Sequence, residues 1–138
     1  MRDGSDKGKK DFLLPVEVSV LFVNDKRMRE LNRLYRGKDR TTDVLSFPQQ
    51  DRTALRAGRY NAMNAQRSTP LGDIVISLPQ AQRQAAAYGA PLYEELARLL
   101  VHGLLHLTGY DHERNAYQAR KMRTLESEML RDLWGSAA

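Results

Sequence analysis

Apolar residues recur along this chain with the periods of strands and helices in turn. Val16, Val18, Val20 and Phe22 alternate with Glu17, Ser19 and Leu21, which predicts a strand with one face in the core. Met28, Leu31, Leu34 and Tyr35 then follow at i, i+3, i+6 and i+7, the spacing of one helix face; Asn24 or Asp25 can cap that helix and Gly37 can close it. Two short apolar runs come next. Val44-Leu45-Ser46-Phe47 is stopped by Pro48, and Asp73-Ile74-Val75-Ile76-Ser77 lies between Gly72 and Pro79; both read as strands. Between them lie about twenty residues rich in Gln, Arg, Asn and Ala, a length at which a connection is usually functional or mobile.

Three more helices are expected. The first runs from about Pro79 to Tyr88 and is broken by Gly89-Ala90-Pro91. The second runs from Leu92 to Leu107; its stretch from Leu96 onward is apolar on nearly every side apart from Arg98, His102 and His106, which marks it as the central buried helix. The third, from about Glu113 to Leu133, carries Tyr117, Met122, Leu125, Met129 and Leu133 as an apolar stripe. Residues 1–11 have no periodicity and are expected to be disordered, leaving 12–138 as a single domain. Strands interspersed with helices, without βαβ regularity, predict a single α/β (α+β) domain: a small mixed sheet packed against several helices. A chain of 138 residues suits one core.

All three histidines of the chain fall in His102-Gly-Leu-Leu-His106-Leu-Thr-Gly109-Tyr-Asp-His112. Residues four apart on a helix lie one turn apart on the same face, so His102 and His106 make half of a metal site. Gly109 can adopt the left-handed conformation that ends a helix, and His112 follows where a returning chain can supply a third nitrogen. A tetrahedral zinc on three imidazoles keeps its fourth position open, as catalytic rather than closed structural sites do. A lone histidine is more often a hydrogen-bonded core residue; three at this spacing, with none elsewhere, favour metal. The same spacing occurs in metzincin peptidases, but Gly103 stands where those enzymes carry the glutamate that serves as general base.

Composition narrows the chemistry. There is no cysteine, hence no disulfide framework and no thiolate ligand, so any zinc must be held by nitrogen and oxygen donors. No apolar run approaches the roughly 20 residues of a membrane span, and Met1 to Asp11 is polar rather than signal-like, so a soluble, cytoplasmic protein is expected. The net charge of +5 is uneven: residues 1–70 carry 15 Lys/Arg against 9 Asp/Glu, whereas residues 71–138 carry 7 against 8. A basic first half fits a polyanionic partner such as nucleic acid.

Within that half, Leu34-Tyr35-Arg36-Gly37-Lys38-Asp39-Arg40-Thr41-Thr42-Asp43 places three cations within five residues at a helix end. Composition alone favours a solvated cap that complements the helix dipole. Yet Tyr35-Arg36-Gly37-Lys38-Asp39, Thr42-Asp43-Val44-Leu45-Ser46-Phe47-Pro48, Leu71-Gly72-Asp73-Ile74-Val75-Ile76 and the histidine segment through His112 resemble, in that order, the YbeY family of metal-dependent endoribonucleases. The resemblance spans residues 35–112 and the flanking helices fit it. It implies cleavage of single-stranded RNA, maturation of ribosomal RNA at the small-subunit 3′ end, and a part in ribosome quality control. It also implies one zinc ion on His102, His106 and His112, and a functional arginine at Arg36. One departure is that the family has a further strand and helix ahead of the strand at Val16, where this sequence has a short polar segment. What covers the first sheet edge is therefore open, and an uncovered edge favours association.

On that reading Arg36 would hold the scissile phosphate through two oxygens, which a lysine does less well. Asp111 could orient an imidazole or could equally cap the last helix. No carboxylate has a spacing that names it as general base. Two rivals stand: a zinc metallopeptidase-like hydrolase, which lacks its glutamate, and a non-catalytic RNA- or ribosome-binding module whose zinc only clamps the last helix.

Overall fold

The computed structural model describes residues 16–49, 69–109 and 115–135. Among the described residues three strands and four helices follow one another as β1 (Val16–Val23), α1 (Asp25–Arg36), β2 (Val44–Pro48), β3 (Thr69–Ser77), α2 (Leu78–Tyr88), α3 (Leu92–Leu107) and α4 (Ala116–Gly135). The sheet has the order β1-β3-β2, with β1 parallel and β2 antiparallel to β3, so it is mixed as expected. The segments expected to be disordered (1–11) and to connect the two short strands lie wholly or almost wholly outside the described residues.

Local chemistry accounts for the helix ends. Asn24 caps α1 by accepting from the Arg27 amide at 2.8 Å, and Gly37 closes it with φ 69°, a conformation that costs a Cβ-bearing residue about 1 kcal/mol. Ser77 and Gly89 play the same parts for α2. Asn115 caps α4 by accepting from the Gln118 amide at 2.7 Å. Asp111, considered as a cap for the last helix, lies outside the described residues.

The sheet is covered on both faces by different helices. On one face Leu71, Ile74 and Ile76 of β3 pack with Ala81 of α2 and with Leu99 and Leu107 of α3. On the other, Val75 and Leu45 pack with Met28 of α1. Behind α3, Val101 and Leu105 meet Met122 of α4. Helix α3 is thus buried on nearly all sides, as its apolar circumference predicts, and each of its fully buried leucines contributes about 1.5–3 kcal/mol. No described helix is long and apolar enough to cross a membrane.

Two expectations need correction. Strand β1 does not bury a face: Val16, Val20 and Phe22 are 57%, 40% and 53% exposed, and only Val18 and Val23 reach the core clusters. It forms an edge of the sheet as described, and the described helices pack mainly over β3 and β2. On α1, Leu34 and Tyr35 are exposed while Asn32 is buried, so the inward row is Met28, Leu31 and Asn32. Tyr35, one turn further on the same side, reaches past the core to Phe47.

Candidate metal centre and substrate cleft

His102 and His106 sit in the last two turns of α3, one turn apart, because the helix runs unbroken to Leu107. Gly103 between them lets α3 press against the sheet. A Cβ there would stand 3.0 Å from Ile74 Cδ1 and Cγ2, so this position faces the core. A glutamate at 103, as the peptidase reading needs, would be driven into Ile74 rather than toward the histidines, which removes that alternative. The helix then ends with Thr108 Oγ1 donating to the Leu105 carbonyl at 2.9 Å and Gly109 at φ 106°, the positive φ anticipated for the turn.

The two imidazoles converge. Their Nε2 atoms are 3.1 Å apart with the rings 67° from coplanar. Two zinc–nitrogen bonds of about 2.0–2.1 Å at a tetrahedral angle separate their nitrogens by roughly 3.3 Å, so the pair fits one metal ion with little adjustment. Both rings are half-buried on a packed helix, which fixes their directions before any ion arrives. The third candidate ligand, His112, lies outside the described residues.

Sequence reasoning missed Glu126. This α4 residue hydrogen-bonds His102 Nδ1, so that Nε2 is the ring nitrogen turned toward His106. Burial pushes the Glu126 carboxyl up, but the hydrogen bond from His102 and the nearby Arg98 guanidinium help outweigh it, so the group sits below its ordinary range. The signal was present but local: Met122, Leu125, Glu126 and Met129 share one helix face, and a carboxylate within an apolar stripe calls for a buried partner.

A cleft of about 860 Å³ opens between the histidine helix and a second wall built by the end of α1, the following turn and β2. Its lining includes His102, His106, Tyr35, Arg36, Lys38 and Arg40. Ser46 Oγ donates to the Gly103 carbonyl at 3.1 Å, tying β2 to the histidine helix. The turn is pinned by Asn32, whose Nδ2 donates to the Arg40 carbonyl at 2.8 Å and whose main-chain carbonyl accepts from the Lys38 amide at 3.3 Å. Asp43 also lines the cleft, but its carboxylate accepts from the Val44 amide at 2.8 Å and Gln84 Nε2 at 3.3 Å. Three cations against this one carboxylate leave the cleft lining net positive, which suits a polyanion. Arg36, singled out in the sequence, and the histidine pair 66 residues further on thus share one concavity.

Beneath the site, Glu95 of α3 is buried and takes both Arg98 Nε at 2.8 Å and Arg98 Nη2 at 2.7 Å, with Gln84 as a further donor. These bonds, led by the pair to Arg98, hold the Glu95 carboxyl below its usual range. Arg98 links Glu95 of α3 to Asp43 just ahead of β2, and Gln84 of α2 bonds the same two carboxylates, so Arg98 braces these elements rather than serving as a cleft cation.

Comparison with known proteins agrees with this architecture. The family model described as Endoribonuclease YbeY matches residues 5–134. An endoribonuclease YbeY of Persephonella marina is 45% identical over 118 residues, covering 86% of this chain and 71% of its own length. That of Leptospira interrogans is 48% identical over 124 residues, covering 86% and 88%. The solution structure of a Thermotoga maritima protein superposes with a TM-score of 0.60 at 27% identity, covering 96% of this chain and 77% of that one.

Proposed function

The chain belongs to the YbeY family of endoribonucleases, and we propose that it cuts single-stranded RNA with one zinc ion on His102, His106 and His112. Membership carries metal-dependent endoribonuclease chemistry in ribosomal RNA maturation. The observation behind the finer reading is the convergence of two Nε2 atoms 3.1 Å apart in a cleft whose other wall presents Arg36, Lys38 and Arg40. An all-nitrogen donor set is compatible with zinc, and a bound divalent ion supplies Lewis acidity at the scissile phosphate.

The chain's own residues do the rest. Glu126 holds the His102 ring with Nε2 presented to the cleft. Arg36 is suited to grip two oxygens of the scissile phosphate and to stabilise the charge that grows on them. Lys38 and Arg40 extend the cationic track to neighbouring phosphates. The substrate is the small-subunit ribosomal RNA near its 3′ end, met on the ribosome in the cytoplasm.

The test is cleavage of a labelled single-stranded RNA from that 3′ end by zinc-loaded protein, chelated protein, His106→Ala and Arg36→Ala. Loss of cleavage in the last three, restored by zinc only in the chelated sample, is expected. Equal cleavage by all four would instead leave an RNA-binding module and a contaminating nuclease.

A further inference from the structure

Tyr35 is an aromatic residue in a position that core packing does not explain. It stands in the last turn of α1 next to Arg36, is 66% exposed, and lines the same cleft as the histidines. Its ring meets Phe47 of β2 edge-to-face, with centroids 5.1 Å apart and planes at 73°. One such contact occupies at most one face of the tyrosine ring, and with most of the residue exposed another stays open to the cleft. The geometry braces the ring without burying it.

Aromatic faces in a cationic groove are used to stack unpaired bases, because every base offers a π-face and only a base released from a duplex can offer it. We propose that Tyr35, braced by Phe47, stacks one unpaired base of the RNA beside the phosphate held at Arg36, and that this contact makes the cleft select single strands. The inference rests on the endoribonuclease reading above and adds a subsite to it. A paired base is already stacked on both sides and cannot reach the ring without paying its unstacking energy.

The test uses the zinc-loaded full chain and a 2′-O-methyl single-stranded RNA carrying 2-aminopurine at successive positions, its intactness checked on a gel. Fluorescence quenching at one position is expected with wild type and with Tyr35→Phe. It should vanish with Tyr35→Ala and Tyr35→Leu, together with an affinity loss of about 10-fold for the single strand and little change for a duplex. Rescue by Phe separates stacking from loss of the hydroxyl, and Leu separates it from loss of apolar bulk. Wild-type RNA binding and cleavage with unchanged quenching in Tyr35→Ala and Tyr35→Leu would overturn the subsite alone. Failure of wild type to bind any RNA would overturn the endoribonuclease reading, and the subsite with it.

Discussion

The two walls of the cleft are built on opposite principles. The histidine wall is a helix packed between the sheet and α4, with Gly103 against Ile74 and Glu126 fixing a ring. The cationic wall is a helix end and a turn, exposed at Arg36 and Arg40 and held by a left-handed glycine and the bonds of Asn32. The difference suits the ligands proposed for each wall. A metal ion tolerates displacements of only a few tenths of an ångström, so its ligands need a packed scaffold, whereas a phosphate can be met by long side chains that adjust.

The largest effect is expected where the walls meet. Gly72 of β3 has φ 145°, and a Cβ there would lie 2.2 Å from the Phe47 carbonyl oxygen and 2.9 Å from Leu107 Cδ2. Gly72→Ala should therefore destabilise the fold by about 3 kcal/mol or more and damage metal and RNA binding together, as read by thermal melting and two titrations. A variant that melts like wild type would show that the strand can yield there.

Glu126→Gln separates the walls from the metal side. It should weaken zinc affinity about 10- to 100-fold, measured by chelator competition, with affinity for a single-stranded RNA little changed in the metal-free protein. Unchanged zinc affinity would mean that packing alone orients His102.

The smallest effect is expected at Asn32, whose side chain is buried. Asn32→Ala should cost about 1 kcal/mol in stability and lower RNA affinity by a factor of a few, with zinc affinity unmoved. Equal losses in both affinities would show that the turn and the histidine helix move as one body, against the contrast drawn here.

Strands β1 and β3 show how far pattern reading reaches. Both are apolar runs in one sheet, yet β3 is buried from Leu71 through Ser77 except at Asp73, while β1 is exposed at six of its eight positions. Alternation reports which residues share a face, not whether anything covers that face, and cover depends on strand order. The order β1-β3-β2 places the later strand in the middle, and no local signal in β1 announces it.

The sequence by itself determined the local features: the helix caps at Asn24, Gly37, Ser77 and Gly89, the unbroken α3, and the i, i+4 placement of His102 and His106. These depend on neighbours within a turn or two of chain. Tertiary structure alone decided that Glu126 from α4 reaches His102, that Gly103 faces Ile74, that Arg36 and Tyr35 share a cleft with the histidines, and that β1 keeps its apolar side exposed. Each of those depends on which surfaces meet when distant segments pack, and that is settled by filling one common core rather than by any segment's own periodicity.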